Sequence, residues 1–326
     1  DPNNVRSLVA VGTGYENGED AACRGRIVLY QVQSASIVQE DGKVKETFKM
    51  QKLFSEELKA GPITAISSVE DLLVVCHGSK ILMYYWHEED QKLVGAAFFD
   101  AQFLCTSLRV CKNFLLLGDV RNSVQLLRWR KDKRQIEFVA KDYEKANVMS
   151  TEYLIMDDQI SFIFADWERN LQMLSFDPPD VRSHKGEKMI SKGQYYLGAR
   201  LTKLQRVRMR TRDLVSYFSV YGDAMGGVGA IAPITKEMFT TLYAVQRQLS
   251  VLPQFAGVSA RDYRRFRSGA RTSQRHSAQQ ILDGQLLWSF ARLSAPKREK
   301  ICQGAEVDAA EVLKTLRQLE KAWRVF

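Results

Sequence analysis

The chain has 326 residues, of which 45% are hydrophobic, 10% aromatic and 26% charged. That balance excludes collagen-like, mucin-like and low-complexity classes and allows one large or two modest domains with an extended core. The formal net charge is +9, and the segment 235–326 holds 16 lysines and arginines against 8 acidic residues, so the basicity is C-terminal, where clustered charge attracts acidic partners.

No apolar run approaches the roughly 20 residues of a bilayer span, the longest being stretches such as Leu72–Cys76 and Phe114–Leu117, so no membrane partner is expected. The chain starts at Asp1 and reaches strand-like Leu8–Val11 without the charged and apolar regions of a signal peptide; it reads as a piece of a longer polypeptide. Cys23, Cys76, Cys105, Cys111 and Cys302 form no CxxC pair and mostly sit in or beside apolar runs. They read as reduced, buried thiols of a cytosolic or nuclear protein.

In chain order, Val9–Val11 and Arg26–Val32 read as two strands separated by a polar insert. Four sets of three short β-branched and aromatic runs follow. They are Ile63–Ile66, Leu72–Cys76 and Ile81–Trp86; Phe103–Leu108, Asn113–Leu117 and Val124–Trp129; Val148–Ile155, Ile160–Ala165 and Leu171–Phe176; Leu201–Val207, Leu214–Val220 and Val228–Ala232. The third strands begin at Ile81, Val124, Leu171 and Val228, separated by 43, 47 and 57 residues, which is the period of propeller blades. Turn chemistry falls where a blade needs its second hairpin: 77–80, 118–122, 166–170 and 221–223. Four to five blades do not close a ring of the usual size, so further blades are expected upstream.

After Pro233 the period changes to helical. Thr235 caps a helix with Met238, Leu242, Val245, Leu249 and Leu252 on one face, ended by Pro253. Ser259-Ala260-Arg261-Asp262 fits a capping box, Asp283 caps a helix burying Leu286, Leu287, Phe290 and Leu293, and Pro296 suits a first turn. A last helix from about Asp308 aligns Val312, Leu316, Leu319 and Trp323. The expected fold is mainly β, with β-propeller blades over 1–234 and a small all-α domain over 235–326.

Residue chemistry points away from catalysis. His77, His87, His184 and His276 stand singly without ligand spacing, so no metal or other cofactor is expected. Gly12-Thr13-Gly14 imitates a nucleotide loop but leads into strand sequence rather than a helix, so its glycines read as turn residues. Asp157-Asp158 reads as a hairpin turn.

Two basic features remain as candidates. Arg206, Arg208, Arg210 and Arg212 alternate, which places them on one face of an extended strand: a solvated outer face, or a stripe for phosphate or acidic protein. Arg261, Arg264, Arg265, Arg267, Arg271 and Arg275 interleave with Tyr263 and Phe266. Arginine with aromatics suits single-stranded nucleic acid; alternatively, the two rings, three apart on a helix, pack inward while the arginines grip acidic loops of a neighbouring propeller.

Val9-Ala10-Val11-Gly12-Thr13-Gly14, Cys23-Arg24-Gly25-Arg26-Ile27, Asn113–Asp119, Ser123–Leu127, Gly229–Pro233, Leu242–Gln246 and Ile281–Leu287 together resemble a family of long triple-propeller proteins. Its members serve pre-mRNA 3′-end cleavage and polyadenylation, splicing, and ubiquitin ligation at damaged DNA. Gly12–Tyr15, Cys23–Arg26, Leu252-Pro253, Ala256-Gly257 and Arg261 are most similar to the polyadenylation branch. The resemblance implies part of a seven-bladed propeller with a helical tail. It also implies a non-catalytic nuclear scaffold that binds a WD-repeat subunit and a zinc-finger subunit, which read the polyadenylation signal while a separate nuclease cuts. Arg206–Arg212 and the stretch after Pro296 depart from the family pattern. Direct RNA binding and a cullin-ligase adaptor role are the alternatives.

Overall fold

The computed structural model describes residues 8–15, 23–38, 44–156, 159–210, 215–252, 259–269 and 281–323. Among the described residues five sheets follow one another along the chain, each a meander in which sequence neighbours pair. The first holds β1 (Leu8–Tyr15), β2 (Arg24–Val38) and β3 (Val44–Leu58); the second β4 (Ile63–Val69), β5 (Leu72–His77), β6 (Lys80–His87) and β7 (Lys92–Asp100). The third holds β8 (Cys105–Cys111), β9 (Phe114–Asp119), β10 (Val124–Arg130) and β11 (Gln135–Lys141). The fourth holds β12 (Val148–Met156), β13 (Gln159–Asp166), β14 (Asn170–Ser175) and β15 (Ile190–Tyr196); the fifth β16 (Leu201–Arg210), β17 (Val215–Asp223) and β18 (Val228–Ile231).

The expected triplets are the inner strands of these blades, and the structure adds outer strands β3, β7, β11 and β15. Inner strands pack on both faces and read as continuous apolar runs, as in Phe114–Asp119, where all but the first residue are buried. Outer strands such as Gln135–Lys141 alternate buried and open positions and carry charge, so their signal is weaker.

A second repeat is invisible in composition. The register shifts by a bulge between third and fourth strands at Met83/Tyr84, Leu126/Leu127 and Met173/Leu174. A second shift falls between first and second strands at Ile63/Ala65, Cys105/Ser107 and Leu201/Lys203. Bulges increase local twist, which a fanned blade requires. The shift at Leu29/Tyr30 marks β2 as a third strand. The first sheet thus carries second to fourth strands, and the fifth sheet carries first to third.

The chain forms two compact units, 1–151 and 152–326. In the first, β4 lies beside β1 and β8. Val74, Cys76, Ile81 and Met83 of the second sheet share a core with Leu108, Leu115, Leu117, Leu127 and Trp129 of the third. Gly12 and Gly14 lie inside β1, which corrects their reading as turn residues: a Cβ at Gly14 would come within 2.7 Å of Pro62, and one at Gly12 within 2.8 Å of Ile66. They are small because the neighbouring sheet approaches there. The Asp157-Asp158 turn lies outside the described residues.

In the second unit, Ile163, Ala165, Leu171 and Tyr195 of the fourth sheet pack with Leu201 and Leu204 of the fifth. The helices are α1 (Lys236–Val251), α2 (Ala260–Tyr263), α3 (Gly284–Ala291), α4 (Ala295–Ala305) and α5 (Ala309–Trp323). Thr235 caps α1 by accepting from Met238 N at 3.3 Å, and Asp283 caps α3 by accepting from Leu286 N at 3.2 Å. Leu242, Val245, Leu249, Leu286, Leu287, Phe290, Ile301, Cys302, Val312 and Leu316 form one buried core. Among the described residues no helix is long and apolar enough to cross a membrane.

Candidate docking surface

The second hairpin of the fourth sheet is shaped by Asp166, whose Oδ1 accepts from Asn170 N at 2.8 Å and whose Oδ2 accepts from Asn170 Nδ2 at 2.9 Å and Gln172 Nε2 at 3.0 Å. The third sheet repeats the device. Asp119 Oδ1 accepts from Arg121 N at 2.7 Å and from Asn122 N, and Gln125 Nε2 reaches Asp119 Oδ2 at 3.4 Å. Burial holds both carboxyls above their usual range, and the bonds they accept offset only part of that rise.

Against the fourth-sheet hairpin sits the segment 259–269. Ser259 caps α2 by accepting from Asp262 N at 3.1 Å, but the helix ends at Tyr263. Phe266 is therefore not on one helical face with Tyr263, and that packing alternative is corrected. Past the helix, Asn170 Nδ2 donates to Arg267 O at 2.6 Å and Arg267 N donates to Asn170 Oδ1 at 3.1 Å. Gly269 N donates to Glu168 Oε1 at 2.8 Å. The segment is bonded to the blade through its backbone.

Arg264 is the centre of this junction. Its Nε donates to Asp283 Oδ2 at 2.7 Å, Nη1 to Leu197 O at 2.9 Å, and Nη2 to Gln285 Oε1 at 2.9 Å. Its guanidinium carbon lies 5.0 Å from the ring centroids of both Tyr195 and Tyr263. The side chains of Arg264 and Asp283 are only 16% and 7% exposed, so this is a nearly dry ion pair. Tyr195 beside it titrates well above its usual range, through burial first and the Asp283 charge second. Arg267 stacks over Tyr196 at 4.0 Å, and Tyr196 meets Tyr263 edge-on at 5.8 Å. Gly198, at φ +87, lets the chain turn beneath the Tyr263 hydroxyl.

Outside this lock the surface is basic and aromatic. Arg261, Arg265 and Arg267 are exposed, Tyr263 is 44% exposed and Trp167 48%. The Arg200 guanidinium covers Trp167 at 3.7 Å. Arg271, Arg275 and Arg212 lie outside the described residues. Arg206, Arg208 and Arg210 lie within β16, as alternation implied, with Arg206 5.3 Å from the Tyr217 ring centroid and Arg208 exposed; the Arg210 side chain lies outside what is described.

Thus the two arginine sets stand apart on the fourth-sheet hairpin and on β16, and Arg264 is committed to internal bonds. Sequence reasoning missed Trp167, Arg200, Tyr195, Tyr196 and Asn170. A tryptophan within a polar turn was the available signal, since such a ring has no core to enter. Among the described residues, no group of three or more His, Cys, Asp or Glu could hold a metal ion.

Successive meander blades with a helical segment locked onto one of them define a β-propeller-class protein. Residues 1–292 match the family described as the CPSF A subunit region. The chain is 32% identical over 320 residues to cleavage and polyadenylation specificity factor subunit 1 of Arabidopsis thaliana, covering 95% of this chain and 21% of that protein. It is 31% identical over 314 residues to the probable subunit 1 of Oryza sativa subsp. japonica, covering 94% and 21%, and 26% identical over 327 residues to protein cft1 of Schizosaccharomyces pombe, covering 97% and 22%. The chain belongs to the CPSF A subunit family. It spans about a fifth of the length of these relatives.

Proposed function

We propose that this chain is a non-catalytic scaffold segment of the nuclear pre-mRNA 3′-end cleavage and polyadenylation machinery. In this reading 1–234 supplies blades of a seven-bladed propeller and 235–326 a helical module, which together organise a WD-repeat and a zinc-finger subunit. The carrying observation is the family match over residues 1–292, which spans all five sheets and the locked segment. Propeller blades offer broad, stiff surfaces that suit docking without chemistry of their own.

Arg261, Arg265 and Arg267 are the exposed contacts of this reading, and Arg264 holds the segment that presents them. The test is affinity purification with mass spectrometry after Arg261→Glu and Arg265→Glu. Loss of cleavage and polyadenylation subunits at unchanged thermal stability supports the scaffold; full recovery of those subunits, or their replacement by a cullin, overturns it.

A second reading, direct contact with single-stranded RNA, is favoured by the partly exposed rings of Trp167 and Tyr263 beside exposed arginines. Its mark is affinity that falls steeply with salt as neutralised phosphates release counterions. RNA binding that ignores salt, or none at all, removes it.

A further inference from the structure

Trp167 stands at the tip of the second hairpin of the fourth sheet, a turn fixed by the bonds that Asp166 accepts from Asn170 and Gln172. The Arg200 guanidinium covers one face of its ring at 3.7 Å, and 48% of the residue stays exposed. A ring held this way has lost most of its rotamer freedom in advance and still offers a flat surface to solvent. Tyr263 is placed differently. Arg264 and Arg267 stand 5.0 and 5.9 Å from its ring centroid, Tyr196 meets it edge-on at 5.8 Å, and Gly198 approaches its hydroxyl. The lock engages the Tyr263 ring on several sides, so of these two rings it is Trp167 that has a face to give.

The surroundings of Trp167 are cationic. Arg169, two residues on, is exposed, and so is Arg267, whose guanidinium lies 4.0 Å from the ring centroid of Tyr196, the register partner of Asn170 at the base of the same hairpin. The acids at this end are engaged: Glu168 accepts from Gly269 N and Asp223 from Met225 N and Gly227 N, each at 2.8 Å, Asp262 accepts from Ser259 Oγ, and Asp166 is buried. Residues 253–258 and 270–280, which flank the locked segment outside the described residues, contain no Asp or Glu and add Arg271 and Arg275. Asp157 and Asp158 precede β13 and Asp213 precedes β17, at the far ends of strands that span about 25 to 30 Å.

We infer that Trp167 is a stacking platform for one unpaired base of single-stranded RNA, with Arg200 holding the ring in position and Arg169 and Arg267 meeting the adjoining phosphates. The inference rests on the RNA reading above and narrows it to one hairpin. A hairpin tip is convex, which suits a base laid flat on a ring better than the apolar anchor of a protein partner, which needs a pocket. Every base has a π-face, so the site takes RNA without regard to sequence.

The test is fluorescence anisotropy with the intact chain and a fluorescein-labelled oligoadenylate of about ten nucleotides, read across a salt series. Trp167→Ala is expected to weaken binding about tenfold while leaving the slope of log affinity against log salt unchanged, since stacking releases no counterions. Arg169→Gln is expected to lower that slope by about 0.7, the share of one single-strand phosphate. Arg200→Lys, which keeps the charge and loses the planar stack, is expected to weaken binding about threefold at unchanged slope. Trp167→Phe keeps a ring and serves as the folding control: affinity within about twofold of the parent, with loss of the tryptophan quenching that RNA causes in the parent, assigns the contact to this side chain. Binding that Trp167→Ala leaves unchanged overturns the inference and leaves the RNA reading standing, whereas no binding by the parent chain overturns both.

Discussion

Arg264 shows how much one side chain can decide. Removing it leaves Asp283 buried with its charge unmatched, and breaking a buried pair on one side costs about 3 kcal/mol. Arg264→Ala should lower unfolding free energy by about that amount in denaturant titration, and Arg264→Lys should not restore it, because an ammonium cannot serve Asp283, Leu197 O and Gln285 in one plane. Asp180 offers a milder check. Its carboxyl is held at about 2, below its usual range, first by the side-chain bond from Arg182 and then by the Arg182 backbone N–H. The folded value lies below the unfolded one. That contribution to stability is therefore present above the ordinary carboxylate pKa and disappears as pH falls through about 2. Carboxyl titration by NMR should find the low midpoint, and Arg182→Gln should move it up towards the usual range.

Among elements, the second-hairpin aspartates make a prediction shared by two blades. Asp119→Ala strands the N–H groups of Arg121 and Asn122, and Asp166→Ala strands those of Asn170. Asp166→Ala should destabilise the chain by about 2 kcal/mol in equilibrium unfolding, because buried donors without acceptors carry their full desolvation cost, and Asp119→Ala by about 1 kcal/mol, because Arg121 is exposed and Asn122 half-buried. An effect below about 0.5 kcal/mol, typical of surface substitutions, would show that water replaces the carboxylate. The helices follow the same local logic at lower stakes, with Thr235 and Asp283 capping where their position before an apolar period indicated. The short α2 differs: Ser259 starts it, but the residues that follow it are bonded to the blade, Arg264 O accepting from Tyr196 N at 3.1 Å and Arg267 N donating to Asn170 Oδ1 at 3.1 Å, so it ends after one turn.

At the scale of the whole molecule, the helical module and the blade it contacts should be one thermodynamic unit. Ending the chain at residue 234 uncovers Tyr195 and Tyr196, now 7% exposed each, and removes Arg264, whose guanidinium donates to Leu197 O of the blade. Such a truncation should lower the thermal midpoint and raise binding of a hydrophobic dye; an unchanged midpoint would mean that the blades hold their form without the tail.

The sequence by itself determined the inner strands, the blade period, the change to helices after Pro233, the caps and the C-terminal charge. Each of these is written within a few residues, as alternation, helical spacing or a side chain that bonds its own backbone. The outer strands were less legible, because a half-open strand such as β11 needs little apolar sequence. Tertiary structure alone decided that Arg264 points inward while Arg261 stays outside, that Trp167 is covered by Arg200, and that Arg206 borders a cleft. The physical reason is separation: Arg267 meets Asn170 across 97 residues and Gly269 meets Glu168 across 101, and no local period carries the distance between two points that only folding brings together.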